Sequence, residues 1–209
     1  MKTQLFTAAA VAVLTLSCAG LAQAQTKPAA AAPAAAPNPP PQGPALAGVC
    51  VLSKEGAVYS SAVGKAMLTR LDQLTSQVDA ELKGQQSAIQ TDAKTLEGQR
   101  ATLPPDQFQQ KAQALQQRET ELQRTAQLRN AEMQQTQRKA LQTFGTYMDP
   151  ITRQVFAQRN CSIMIDGNSL VYPAPAMDVT GQVIQGLNAK IQSFPFDREH
   201  IDPAAAQAR

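Results

Sequence analysis

The tetrapeptide Leu103-Pro104-Pro105-Asp106 divides residues 59–159 into two long arms. Neither arm contains another proline until close to its base, and both are rich in Gln, Ala, Leu, Arg, Lys and Glu, which favour helices. The Pro-Pro pair cannot lie inside a helix, because each ring removes an amide donor and clashes with the preceding turn. We therefore predict a helical hairpin with its tip at residues 103–106, arms on the order of 65 to 80 Å long, and Asp106 as the cap of the second arm.

A narrow apolar stripe runs along each arm of this hairpin. Its outer members recur every seven residues, which predicts antiparallel coiled-coil packing of the two arms. Gly84 and Gly98 each weaken the first arm by about 1 kcal/mol relative to alanine, so the outer half is expected to be soft. The stripe residues of this outer half are Ile89, Leu96, Leu103, Phe108, Leu115 and Leu122.

Short apolar runs on either side of the arms predict a small β-rich body, and the fold class is therefore α+β. Residues 47–52 and 161–165 are predicted strands, and residues 169–172 are a third strand, antiparallel to the second across the turn sequence Asp166-Gly167-Asn168. Three short strands make a marginal sheet, so pairing between copies of the chain would bury their edges. The candidates for this oligomerisation body are Val49, Val51, Ile163, Ile165, Leu170 and Val171.

The remaining boundaries follow from local signals. Residues 53–57 are a predicted loop, and Asp178 is expected to cap a last helix that runs from Val179 to about Ser193. Pro150 marks the junction of arm and body, either as the first residue of a new helix or as a kink in a continuous one. The body then comprises residues 47–58 and 160–193, the arm residues 59–159, and a disordered tail residues 194–209.

The N-terminus carries a predicted signal peptide, residues 1–24. Lys2 precedes an apolar run, and the small-x-small sequence Ala22-Gln23-Ala24 predicts cleavage before Gln25. Lipidation at Cys18 is the alternative, and it would anchor the protein to a membrane. Residues 25–46 form a linker rich in proline and alanine, a composition typical of extended or disordered segments.

Cys50 and Cys161 remain after cleavage, and both lie in strands that we expect to be neighbours. Exported proteins meet an oxidising compartment, where a disulfide can persist. Two buried thiols that act as small apolar residues are the alternative.

Composition argues against several classes of function. The formal net charge of the precursor is only +3 and aromatic residues make up 4% of the chain, which does not suggest a nucleic-acid-binding protein. His200 is the only histidine and lies in the predicted tail. We find no catalytic motif, no metal-ligand spacing and no nucleotide-binding glycine loop, so we expect no enzyme activity and no cofactor.

In order and spacing, these pieces resemble the Skp/OmpH-like periplasmic chaperones. The resemblance spans roughly residues 48–190. The pieces that carry it are Val49-Cys50-Val51, the helix start at residues 61–66, the Gln-rich hairpin, Asp149-Pro150-Ile151, the strand at residues 163–166, and Asp178-Val179-Thr180.

The resemblance implies a homotrimer with a small β body, from which three helical arms hang and enclose unfolded outer-membrane proteins in the periplasm. It implies holdase activity without ATP, and the outer stripe residues become candidates for contact with the client. The arms are nearly charge-balanced, with nine basic and eight acidic residues between 79 and 139, and peripheral contact of the arms with a membrane stays open. The alternative function is a structural coiled-coil spacer or adaptor that docks onto another envelope protein.

Overall fold

The computed structural model describes residues 43–202. The predicted signal peptide, Cys18 and most of the predicted linker lie outside the described residues. The elements in chain order are β1 (Val49–Leu52), α1 (Lys54–Ser60), α2 (Ala62–Gly98), α3 (Pro105–Gln158), β2 (Ile163–Asp166), two 3-10 turns (Gly167–Ser169 and Pro175–Met177) and α4 (Thr180–Lys190).

Helices α2 and α3 form the predicted hairpin. They contain 37 and 54 residues, which correspond to lengths of about 55 and 80 Å. Turns at residues 99–102 end α2, and Pro105 opens α3, where its missing amide costs nothing. The predicted cap at Asp106 is wrong: Pro104 is the N-cap residue without a side-chain hydrogen bond, and Asp106 lies in the first turn. A carboxylate there still interacts favourably with the helix dipole.

Residues 53–57, predicted as a loop, instead begin helix α1. The Ser53 hydroxyl accepts a hydrogen bond from the Gly56 amide (2.9 Å) and caps the helix. Ser61 caps α2 in the same way by accepting from the Gly64 amide (3.1 Å). A Cβ atom on Gly64 would lie 1.9 Å from the carbonyl oxygen of Val58. Glycine therefore permits the close approach of the two successive helices.

Strands β1 and β2 pair in parallel, with Val49 opposite Ile163 and Leu52 opposite Asp166. The predicted third strand, including Leu170 and Val171, is not a strand. The Asp166 side chain accepts from the Asn168 amide (3.1 Å) and the chain enters a 3-10 turn rather than a β-hairpin. A parallel pair needs a connection that carries the chain from the end of one strand back to the starting end of its partner. Here α1 and the two arms make that connection between Leu52 and Ile163.

The hydrophobic core lies where the arms meet the body. Helix α3 passes through Pro150 without interruption, so the continuous-helix alternative is correct. Helix α4 packs against α3, and a Cβ on Gly186 would lie 2.6 Å from a methyl carbon of Ile151. The buried residues of this core include Leu52, Ala57, Val63, Met67, Phe144, Met148, Ile151, Val155, Val179, Val183 and Leu187.

Residues 194–202 pack along the base of the arm, contrary to the predicted disordered tail. We call them the C-terminal strap. Phe194 and Phe196 pack against the core, and the Phe194 ring stacks on Tyr147 with centroids 5.8 Å apart. Beyond them, the strap follows α2 and α3 outward through polar contacts. Residues 203–209 of the predicted tail lie outside the described residues.

Candidate functional site: the arm and the groove at its base

The outer apolar stripe lies between the two arms. Ile89 and Leu96 are each 7% exposed, whereas Leu103, Phe108, Leu115 and Leu122 are half-buried. Leu96 and Leu115 line one cleft of about 270 Å³ between α2 and α3. The stripe is thus a seam in this closed hairpin, and a client would reach it fully only if the arms separated.

Polar contacts also join the arms across this seam. Arg118 pairs with Asp92, and Lys111 donates to Gln99 (3.3 Å). Near the tip, the Arg100 guanidinium lies 5.8 Å from the centroid of the Phe108 ring. Pairs of this kind on the surface contribute little stability, typically up to about 1 kcal/mol. The outer half is therefore held by few strong interactions.

A stronger ionic contact joins the arms halfway along. The Arg129 guanidinium of α3 donates to both carboxylate oxygens of Glu81 on α2 at 2.8 to 3.2 Å. Through this hydrogen bond, Arg129 holds the pKa of the Glu81 carboxyl below its ordinary value, and Glu81 raises the pKa of Arg129. Arg129 also donates to Glu132 (3.1 Å), a carboxylate that is only 2% exposed.

An apolar groove of about 750 Å³ lies at the base of the arm. Its walls come from α1, α2, α3 and β2, and they include Val58, Leu68, Phe144, Met148 and Met164. Such a groove has the size and the lining of a binding site. Its lining residues are Leu52, Lys54, Glu55, Val58, Tyr59, Leu68, Gln137, Leu141, Phe144, Gly145, Met148, Asp149, Thr152, Met164, Ile165 and Asp166.

The six predicted oligomerisation residues divide into two groups. Val51 is buried and Val49, Ile165 and Leu170 are half-buried, so they help to form the body itself. Ile163 is 55% exposed and Val171 is 82% exposed. Tyr172, which the sequence did not single out, is 75% exposed beside Val171. Ile163, Val171 and Tyr172 are therefore exposed apolar residues of the body.

A disulfide joins Cys50 of β1 to Cys161, which follows α3, and their Cα atoms are 5.8 Å apart. It ties the two ends of the arm together at the body. Within residues 43–202, no group of three or more His, Cys, Asp or Glu side chains is placed to hold a metal ion.

The sequence model of the OmpH-like family, described as "Outer membrane protein (OmpH-like)", matches residues 48–187. The matched segment begins just before β1 and ends inside α4, so it contains the body and the entire arm. The chain belongs to the OmpH-like family. The C-terminal strap lies beyond the matched segment.

A solved OmpH-like structure has the same fold. It is that of a candidate outer membrane chaperone from Caulobacter crescentus CB15, to which this chain is 39% identical with a TM-score of 0.73. The match covers 77% of this chain and 95% of that one. No match was found among curated proteins. In the part of this OmpH-like chain that the structure describes, no helix is long and apolar enough to cross a membrane.

Proposed function

We propose that this OmpH-like protein is a periplasmic holdase that keeps unfolded outer-membrane proteins from aggregating without using ATP. The observation that carries the proposal is the arm itself: a hairpin of two helices about 55 and 80 Å long, whose apolar seam is closed only by weak contacts in its outer half. Unfolded β-barrel proteins expose alternating apolar residues and unpaired strand edges. Arms that separate can offer apolar and polar groups to such chains through many weak contacts.

The working form is a homotrimer, and the body supports this part of the proposal. A two-stranded sheet is marginally stable by itself, and β2 pairs with β1 alone in the described part of the chain. The same chain presents an apolar groove at the arm base and the exposed pair Val171 and Tyr172 on the body. The second copy is therefore the proposed occupant of this groove. Three arms from one body would enclose a cavity, with the Pro-Pro turns at its mouth.

An aggregation assay tests the holdase activity. Urea-unfolded porin is diluted into buffer without ATP, and light scattering is followed with and without the mature protein. We expect suppression at a molar excess of trimer, and undiminished scattering would refute the proposal. Shortening the turn from Leu103 to Phe108 distinguishes the alternatives, because a cage tolerates this change whereas an adaptor that docks through its tip does not.

Native mass spectrometry tests the assembly. We expect the mass of a trimer for the mature chain and for the control Val171→Thr, which keeps the shape of the side chain. Val171→Asp places a charge in the proposed interface and should yield monomer. A monomeric wild-type chain, or an Asp variant that assembles like the control, would contradict the role of this segment.

A further inference from the structure

The C-terminal strap is bound to the arm through its main chain. Arg70 of α2 donates to the Phe196 carbonyl (3.2 Å). The Glu199 amide donates to the Thr136 hydroxyl (2.9 Å), and the Ile201 amide donates to a Glu132 carboxylate oxygen (3.3 Å). Glu199 and Ile201 are two residues apart, the spacing at which groups lie on the same side of an extended chain.

Two of the arm side chains that make these contacts, Thr136 and Glu132, are held in place by other hydrogen bonds within the arm. The Thr136 hydroxyl donates its own proton to the Glu132 carbonyl (2.7 Å), so its oxygen faces the strap as an acceptor. Glu132 is held by Arg129 and is almost completely buried. A buried carboxylate needs donors, and the strap supplies one of them as a backbone amide. These contacts recognise a polypeptide chain whatever its side chains are.

Side chains of the strap add contacts with charge complementarity. Arg198 lies between the two arms, 3.3 Å from a carboxylate oxygen of Glu81 and 3.3 Å from one of Glu132. Asp197 pairs with Arg70 (2.6 Å), and Glu199 pairs with Lys139. The occupant preferred by this surface is thus an extended segment with aromatic residues followed by a basic one.

We infer that Arg70, Glu132 and Thr136 form a binding track for the main chain of an extended polypeptide, which the strap occupies in this structure. The extension to clients rests on the proposed function: an unfolded outer-membrane protein carries the same amides and carbonyls and competes with the strap. A tethered segment has an effective concentration in the millimolar range. The strap therefore acts as an autoinhibitory ligand. Only a client that contacts the protein at many places binds strongly enough to displace it from the track.

The first test uses a labelled peptide of residues 193–202 and the full mature chain. Phe196→Ala combined with Arg198→Ala weakens the strap and leaves the track intact. Fluorescence anisotropy should show the peptide binding this variant at least tenfold more tightly than it binds wild type or Arg153→Ala, a control at an exposed ion pair of α3. Circular dichroism and thermal melting establish that the strap variant is folded.

Methylated peptides test recognition of the main chain. N-methylation at Glu199 and Ile201 removes the two amide donors and should abolish binding. Methylation at His200, whose amide makes no hydrogen bond to the arm within residues 43–202, should reduce binding far less. Thr136→Val in the strap variant should weaken binding about five- to tenfold, the size expected for one hydrogen bond. Binding that ignores the methyl positions, or no binding to the folded strap variant, would overturn the track.

The second test uses wild type and needs no altered strap. Amide hydrogen exchange at Glu199 and Ile201 is measured before and after addition of urea-unfolded porin, and it should accelerate when the client displaces the strap. Suppressed porin aggregation with unchanged exchange would refute the shared track while the holdase proposal stands. Peptide binding without any protection of porin would refute the holdase proposal and leave the track in place.

Discussion

Removal of the Cys50–Cys161 disulfide should markedly destabilise the body. The bond closes a chain separation of 111 residues that contains both arms. In the chain-entropy treatment, a loop of that size lowers the entropy of the denatured chain by about 16 cal/mol/K, which is about 4.8 kcal/mol at 25 °C. Helical structure retained in the denatured arms would shorten the effective loop. We therefore expect Cys50→Ala with Cys161→Ala to lose about 2 to 4 kcal/mol.

Urea unfolding followed by circular dichroism measures this loss. Wild type and the double variant are compared at one protein concentration, because assembly makes stability concentration-dependent. With a slope of about 2 kcal/mol/M, the midpoint should fall by about 1 to 2 M urea. Reductant should shift wild type to the midpoint of the variant and leave the variant itself unchanged.

Two observations would refute this reasoning. One is a pair of freely alkylated thiols in the native wild-type protein, since the bond would then be absent. The other is an oxidised wild type that unfolds at the same urea concentration as its reduced form. In that case closure of the loop would contribute nothing, and the contacts of the body alone would hold β1 beside β2.

Three further changes test the packing and the electrostatics. Gly64→Ala should cost about 1 to 3 kcal/mol, measured by thermal or urea unfolding, because the new methyl group meets the backbone carbonyl of Val58. Phe144→Ala should cost about 3 to 5 kcal/mol in the same measurement, because it empties part of the buried core. Since Arg129 lowers the folded-state pKa of Glu81, this pair stabilises the fold above the unfolded pKa of about 4.3 and the contribution is lost as pH falls below it. Wild type should thus exceed Glu81→Gln in stability at pH 7, and the difference should shrink toward pH 3; a constant difference would contradict the assignment.

The hairpin could be predicted from the sequence because its signals are local. The Pro-Pro pair stops a helix wherever it occurs, and a seven-residue apolar repeat describes a seam without reference to the rest of the chain. Helix α1 could also have been found: Ser53 with Glu55 in the following turn is a helix start, and only the short length of the segment suggested a loop. The direction of β2 could not be read locally, since it depends on the path of both arms.

The C-terminal strap was missed for a different reason. Its polar residues and its position at the end of the chain are typical of a frayed terminus. Phe194 and Phe196 argued against that interpretation, because disordered segments contain few aromatic residues. These two are a third of the six phenylalanines in a chain that is poor in aromatics. The surface of α3 to which the strap binds could not be found from an apolar pattern in the sequence, since its buried residues Glu132 and Thr136 are polar.

The position of the strap determines how much of the arm is free to open. Its outermost contacts reach Glu81 on α2 and Glu132 on α3, which leaves residues 82–98 of α2, about 25 Å of helix, closed mainly by Ile89 and Leu96. We call these contacts of the strap with Glu81 and Glu132 the clamp. Between the clamp and the buried Met67 lie about 20 Å of α2, along which the strap contacts both helices. Local opening needs the fewest broken contacts at the tip and becomes costly at the clamp. The arm thus combines a soft outer segment with an inner segment held closed by the strap, by the Glu81–Arg129 pair and by the buried Leu74 and Val78. Displacement of the strap by a client would remove one of these restraints on the inner segment.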